Sequence, residues 1–257
     1  MSQDPADSWP LAVFADPARE LWGLIRGGPE RQAVVGRLGP ATAAAADGQP
    51  AAQWNPSPGL ELASAGDSAG AVSTTVGTVD ALSLLRITGS LGGTRVERGE
   101  PPALDTPAVA VAGPKIVKLD SIRIFAGWFP DDRTIALSAV RPRGGHADKD
   151  VVSVLVTGAA PIPADPVAPG EPEPPLIFDP RLSTTYDVRG VPLRLGIELW
   201  LGPDEDSDQR PLRLSSQSTG DRLAAELGAL DVEAYAQRCH NRGEDGVGIY
   251  ALLRPRR

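Results

Sequence analysis

Leu193-Arg194-Leu195-Gly196-Ile197-Glu198-Leu199-Trp200-Leu201 alternates strictly, with five aliphatic residues on one side and Arg194, Gly196, Glu198 and Trp200 on the other. A period of two is the signature of a strand with one buried face. The same period recurs around it. Ile122, Ile124, Ala126 and Trp128 alternate with Arg123, Phe125 and Gly127, and Ile135, Leu137 and Ala139 with Thr134, Ala136 and Ser138. Leu230, Val232, Ala234 and Ala236 alternate with Asp231, Glu233, Tyr235 and Gln237. Val151 to Val156 is a continuous apolar run, as a strand covered on both faces would be. The breaks carry turn chemistry: Pro130-Asp131-Asp132, Arg189-Gly190, Gly202-Pro203-Asp204, Ser218-Thr219-Gly220 and Asn241-Arg242-Gly243.

The first half is less regular. Residues 20–26, 32–38, 59–63, 71–76, 82–90, 94–97 and 108–111 read as further strands. Residues 221–227, rich in good helix formers, are the one helical competitor, and a short helix is an alternative to strand there. Two low-complexity stretches punctuate the chain, residues 39–53 and the proline-rich residues 159–175, the latter read as a long surface loop. The expectation is an all-β protein divided near residue 112. It comprises an N-terminal β domain over 1–112 and a C-terminal antiparallel barrel over 113–257, either two barrels or a barrel packed on a β-sandwich. About eight strands fall in each half, roughly what one small barrel needs.

Composition narrows the function. The 257 residues are 41% hydrophobic with 28 Gly and 26 Pro, a folded composition rich in turns. A formal charge of −8 argues against nucleic acid, which demands clustered Lys and Arg. One cysteine, Cys239, excludes an internal disulfide. The N-terminal residues lack the apolar run of a secretory signal, and no apolar stretch approaches the roughly 20 residues of a membrane helix. A cytoplasmic protein without a membrane partner is expected; its oligomeric state is not read from the sequence.

Several motifs bear on chemistry. Gly66-Asp67-Ser68-Ala69-Gly70 matches the nucleophile elbow of serine hydrolases, but residues 71–77 are β-branched and Gly-containing where the elbow needs a helix. His146-Ala147-Asp148-Lys149-Asp150 offers one His and two carboxylates, and with two histidines in the chain a three-His zinc site is excluded. Asp204 to Asp208 begins like a calcium loop, but Gln209 and Ser215 stand where Gly and Glu are required. Cys239 and His240 are strand neighbours that point to opposite faces, which disfavours a catalytic pair. Neither a dinucleotide fingerprint nor a Walker loop is present, so no nucleotide cofactor is expected, and no metal.

Three segments together carry a resemblance. They are Trp128-Phe129-Pro130-Asp131-Asp132 leading into Ala139-Val140-Arg141-Pro142, then residues 179–187 with Gly196-Ile197-Glu198-Leu199-Trp200, and residues 243–250. Over roughly residues 120–257 the chain resembles a bacterial family of lipocalin-like β-barrel proteins, near the carotenoid hydratase, tocopherol cyclase and natural-product Diels–Alderase group. The resemblance implies tandem barrels around a hydrophobic pocket. It also implies a cofactor-independent cyclase or isomerase acting on a polyketide, polyene or terpenoid in secondary metabolism. The alternative is a non-catalytic carrier of the same hydrophobic small molecule. No catalytic signature transfers with it. The expected site lies in the C-terminal half, with Tyr186, Glu198 and Arg141 as catalytic residues and Trp128 and Trp200 against the substrate. This assumes that the mixed face of the 193–201 strand lines the lumen while its aliphatic face packs on the other half.

Overall fold

The fold is set by where each strand's two faces go. The computed structural model describes residues 10–27, 32–38, 52–54, 60–68, 71–74, 77–90, 103–112, 118–130, 132–146, 150–157, 162–163, 177–201 and 212–256. These form seventeen strands in two antiparallel sheets, with no α-helix among them, and the expected all-β class is present. No helix there is long and apolar enough to cross a membrane.

The first sheet draws on β1 (Pro10–Asp16), β2 (Leu21–Arg26), β3 (Gln32–Arg37), β4 (Ala52–Trp54), β5 (Glu61–Ser68), β6 (Ala71–Thr74), β7 (Gly77–Ser90) and β8 (Ala103–Ala112). Their order is β4-β3-β2-β1-β8-β7-β5, with β6 also on β7. The second sheet draws on β9 (Leu119–Trp128), β10 (Thr134–Pro142), β11 (Val151–Val156), β12 (Ile162–Pro163), β13 (Ile177–Tyr186), β14 (Pro192–Leu201), β15 (Leu212–Leu227), β16 (Leu230–Asn241) and β17 (Glu244–Pro255). Its order is β12-β11-β10-β9-β17-β16-β15-β14-β13.

Alternation sends one face of each sheet into a shared interface. Leu11, Val13, Trp22 and Val109 of the first sheet meet Ile122, Ile124, Val232 and Leu253 of the second in one buried cluster. Polar contacts reinforce it: the Gly228 N–H donates to Gln32 Oε1 at 3.1 Å, and the Arg26 guanidinium lies over Gly228. The opposite, concave face of each sheet has a core of its own. Phe14, Ile25, Leu60 and Ile87 fill that of the first sheet, and Phe125, Leu137, Ile197, Leu214 and Tyr250 that of the second.

One open sequence reading is decided and one strand reading holds. Residues 221–227 extend β15, because Leu223 and Leu227 are needed in the interface and Ala225 packs against it, a period-two demand that overrides helix propensity. Residues 71–74 are strand β6, so no helix follows Ser68, the last residue of β5. The β16–β17 hairpin turns on Arg242 and Gly243, both at positive φ (52° and 87°), as a tight two-residue hairpin requires. The strand expected at 94–97, most of the 39–53 stretch, nearly all of the proline-rich 159–175 stretch and the acidic 204–208 run lie outside the described residues.

Candidate functional site

On β9, Ile122 and Ile124 enter the interface, so Arg123 and Phe125 point to the concave side. On β17, Ile249 and Ala251 enter the interface and Tyr250 faces the concave side. This concave face is apolar through most of its extent. Toward the end where β10 finishes and β11 begins, it becomes polar.

There Asp150, just ahead of β11, meets two arginines. Arg123 Nη2 donates to Oδ2 at 2.6 Å, while Arg141 donates through Nε to Oδ1 at 2.7 Å and through Nη2 to Oδ2 at 2.9 Å. The Asp150 side chain is 3% exposed and the two arginines 22% and 28%. The two-point Arg141 contact is the geometry a guanidinium fork makes with a carboxylate. The Asp150 hydrogen bond raises the Arg141 pKa above its usual value, against the opposing effect of burial. Two guanidiniums share this one buried carboxylate, and Asp120 adds a weaker attraction on Arg141. On the same side, Glu233 bridges Arg222 and Arg254, each at 3.4 Å. Among the described residues, four guanidiniums thus gather at this end with the carboxylates Asp150 and Glu233, and with Asp120 acting on Arg141.

All three tyrosines of the chain gather beside them. Tyr235 and Tyr250 are directly paired across β16 and β17. The Tyr235 hydroxyl donates to Glu233 Oε2 at 2.9 Å, and burial, then this hydrogen bond, push its pKa up to about 12. Tyr250 is buried, and its hydroxyl has no hydrogen-bond partner of good geometry; nor has the buried Thr184 Oγ1 or Arg123 Nε. Burial pushes the Tyr250 pKa up, and the neighbouring Tyr186 phenol pushes it further. Tyr186 ends β13 at the far edge of the sheet, yet its phenol lies close enough to act on both Tyr250 and Arg141. In the sheet order β10 and β13 are six strand steps apart, so the sheet curls into a half-barrel that brings its edge strand back over β9, β10 and β17. Tyr186 is 47% exposed, and Val188 and Leu193, in and just after the turn that follows it, are exposed as well.

Arg141 and Tyr186, chosen from the sequence, thus come together. Glu198 does not join them. The aliphatic residues Leu195, Ile197 and Leu199 line the concave core of the half-barrel, which puts Glu198 on the opposite side in an exposed pair with Arg213 (3.0 Å). The expectation that the mixed face of this strand lines the lumen is therefore reversed. The physical reason is that β14 lies near the sheet edge, beyond the reach of the first sheet, so only the half-barrel interior can bury its aliphatic face. Trp128 lies in the interface between the sheets, with its Nε1 unpartnered. Trp200 lies in β14, and its side chain is outside the described part. Arg123, Thr184 and Tyr250 were not singled out from sequence as site residues, and Asp150 was weighed only as a carboxylate of the His146–Asp150 segment. Arg123 had a signal, as a lone cation alternating inside an otherwise apolar strand. Among the described residues no three His, Cys, Asp or Glu side chains group as a metal site would require, and residues 147–149 of the His146 loop lie outside them.

No protein-family model matches the chain, and no curated protein matches it. Among solved structures it is similar to CghA with Sch210972, at 8% identity over 97% of this chain and 88% of that one, with a TM-score of 0.49. It is also similar to kievitone hydratase from Nectria haematococca, at 12% identity over 97% and 89% with a TM-score of 0.49. A third is a putative AttH from Nitrosomonas europaea, at 10% identity over 96% and 92% with a TM-score of 0.48. Likenesses at this level carry no residue role to this chain.

Proposed function

We propose that the half-barrel of the second sheet receives an apolar small molecule through the arginine–tyrosine end. An oxygen function of that molecule, a carboxylate or an enolisable carbonyl, docks against Arg123, Arg141, Tyr186 and Tyr250, and the protein catalyses its cyclisation or isomerisation. The observation that carries this reading is the buried Tyr250 hydroxyl, approached only by the Tyr186 phenol and the Thr184 hydroxyl and bonded to neither in good geometry, beside the Arg123–Asp150–Arg141 cluster. An unmet buried donor is costly, on the order of 1–3 kcal/mol, and an incoming oxygen would meet it.

The chemistry depends on protonation state. Burial keeps Tyr250 protonated well above neutral pH, so it serves as a donor rather than a base. A donor on a carbonyl oxygen withdraws electron density and stabilises charge developing there, and the guanidiniums add to this in a site shielded from water. The apolar wall holds a flexible chain in a reactive conformer, an orientational contribution of several kcal/mol. Tyr186, half exposed, links the buried phenol to solvent for proton exchange.

The test uses cis-parinaric acid, a fluorescent polyene carboxylate, as probe. Wild type is expected to bind it, and Tyr250→Phe to bind about tenfold more weakly with an unchanged far-ultraviolet spectrum. Equal binding by the two would reject Tyr250 as the docking point. Catalysis is tested separately with a linear polyene β-keto acid. Loss of triene absorbance in wild type but not in Tyr250→Phe supports the cyclase reading; tight binding with unchanged absorbance makes the protein a carrier.

A further inference from the structure

A second unmet polar group lies deeper on the same face. Ala234 and Ala236 of β16 enter the interface between the sheets, while Tyr235 and Cys239 point to the concave core. Alternation places Gln237 on that concave side. It is fully buried, at 0% exposure. Ser216 Oγ donates to Gln237 Oε1 at 3.1 Å, and Gln237 Nε2 has no partner. One hydroxyl engages only one end of an amide, so an end stays unmet whichever way the amide is turned. The residues beside it are apolar or bare: Gly248 of β17 stands opposite Gln237, and Gly127 of β9 opposite Gly248.

Its position relative to the mouth is set by register. Tyr250 pairs with Tyr235, and Gly248 with Gln237, so the amide is two residues further along the same face, about 7 Å along the strands. Phe125 stands at the Tyr250 level and Cys239 one same-face position beyond Gln237; both lean over Gly127, and Cys239 also over Gly248. An apolar core needs no glutamine, and the fold gives this one no complete set of partners. Two buried polar groups that the fold leaves incompletely partnered stand at neighbouring positions on one face and mark two points at which a ligand could be held.

We propose that the Gln237 amide is the second docking point of the ligand, and that the ligand belongs to the oxo acids or dicarbonyls. It is an apolar skeleton with one oxygen at the arginine–tyrosine end and a second, hydrogen-bond-accepting oxygen two residue levels deeper. This rests on the reading of that end as the docking site. Ser216 positions the amide, and Gln237 is the specificity-determining residue: it discriminates a ligand carrying the inner oxygen from one that lacks it, because burying an unmet amide against a methylene is unfavourable. The same contact fixes how far the chain threads into the half-barrel, and so which of its carbons lie beside Tyr250.

The experiment compares dodecanoate with its 5-, 6- and 7-oxo derivatives as competitors of bound cis-parinaric acid, in wild type, Gln237→Leu and Gln237→Met. At least one oxo acid is expected to bind wild type about tenfold more tightly than dodecanoate. Both variants should lose that gain while binding dodecanoate at least as well as wild type. Equal binding of all four acids by wild type, or a gain that survives in a folded variant, overturns the inference and leaves the mouth reading standing. Failure of dodecanoate itself to bind wild type removes the mouth reading, and this inference with it. A merely structural glutamine would alter stability on substitution without altering the ratio of oxo acid to dodecanoate.

Discussion

Removing the Asp150 carboxylate should lower stability while strengthening the pull on anions. The side chain is 3% exposed and receives three guanidinium hydrogen bonds at 2.6, 2.7 and 2.9 Å. Breaking a fully buried ion pair by deleting one partner costs about 3–5 kcal/mol, because the other charge is left bare. Here the arginines are 22% and 28% exposed, so water recovers part of their solvation and the cost falls to about 2–3 kcal/mol. For a chain of this length each kcal/mol moves the melting temperature by about 2–4 °C, so Asp150→Ala should melt about 4–12 °C below wild type. Asp150→Asn, which keeps an acceptor without the charge, should fall between them. The ligand response runs the other way: with the carboxylate gone, cis-parinarate should bind more tightly at low salt, and added salt should erase the gain. Urea and thermal unfolding followed by circular dichroism measure the first effect, and fluorescence titration at two salt concentrations the second. If Asp150→Ala melts within about 1 °C of wild type, the carboxylate is not holding the arginines; if it weakens parinarate binding, the arginine charge is not what recruits the ligand.

Three further outcomes concern groups away from the arginines. The Asp187 carboxylate accepts the Val191 and Arg189 backbone N–H groups, each at 2.8 Å, and Val191 first, then Arg189, hold its pKa below the usual 3.8. A depressed folded-state value means that the turn's stabilisation is present above the ordinary carboxylate range and is lost as pH falls through the lower value. NMR titration of the Asp187 carboxyl should show this midpoint, and a midpoint at or above 3.8 would contradict it. Burial raises the pKa of the lone thiol at Cys239, so a thiol reagent at mildly alkaline pH should modify native protein at least about a hundredfold more slowly than urea-unfolded protein; comparable rates would place the thiol at the surface. A methyl group on Gly248 would stand 2.6 Å from Cys239 Sγ and 2.7 Å from the Ala126 carbonyl oxygen. Gly248→Ala should therefore cost about 1–3 kcal/mol in urea unfolding, and adding Cys239→Ala should restore only part, since the carbonyl contact remains.

The strands were legible because period-two alternation is written locally. The reading of 193–201 as a half-buried strand needs only the nine residues themselves, and β14 spans Pro192–Leu201. Where local signals compete, they fail. Residues 221–227 hold helix formers, and only the requirement that Leu223 and Leu227 meet the first sheet makes them strand. That requirement comes from residues far away in sequence, such as Trp22, whose ring lies with Leu223 over Gly36.

The site is a harder case, because alternation says that two faces differ without saying which one meets what. For β14 both assignments satisfy the pattern. The choice depends on whether the strand lies at the centre of its sheet, backed by the first sheet, or near the edge, where only the half-barrel interior can cover Leu195, Ile197 and Leu199. Strand order decides this, and strand order is a property of pairings spread over the whole chain. Taking the wrong face moved Glu198 inward, whereas the structure gives it Arg213 and solvent. The nearness of Arg141 and Tyr186 did not depend on that choice, because Tyr186 ends β13 and Arg141 stands one residue before the end of β10, and strand ends form the rim of a curled sheet whichever face turns inward. Tyr250 and Gln237 could not be found in this way. Each sits in the middle of a strand among residues typical of a core, and neither is unusual until its neighbours are known to offer its polar atom nothing. A buried polar group that the fold leaves unsatisfied becomes visible only when every partner has been placed. In this chain it is that pair of incompletely partnered groups, rather than any motif, on which the proposed docking points rest.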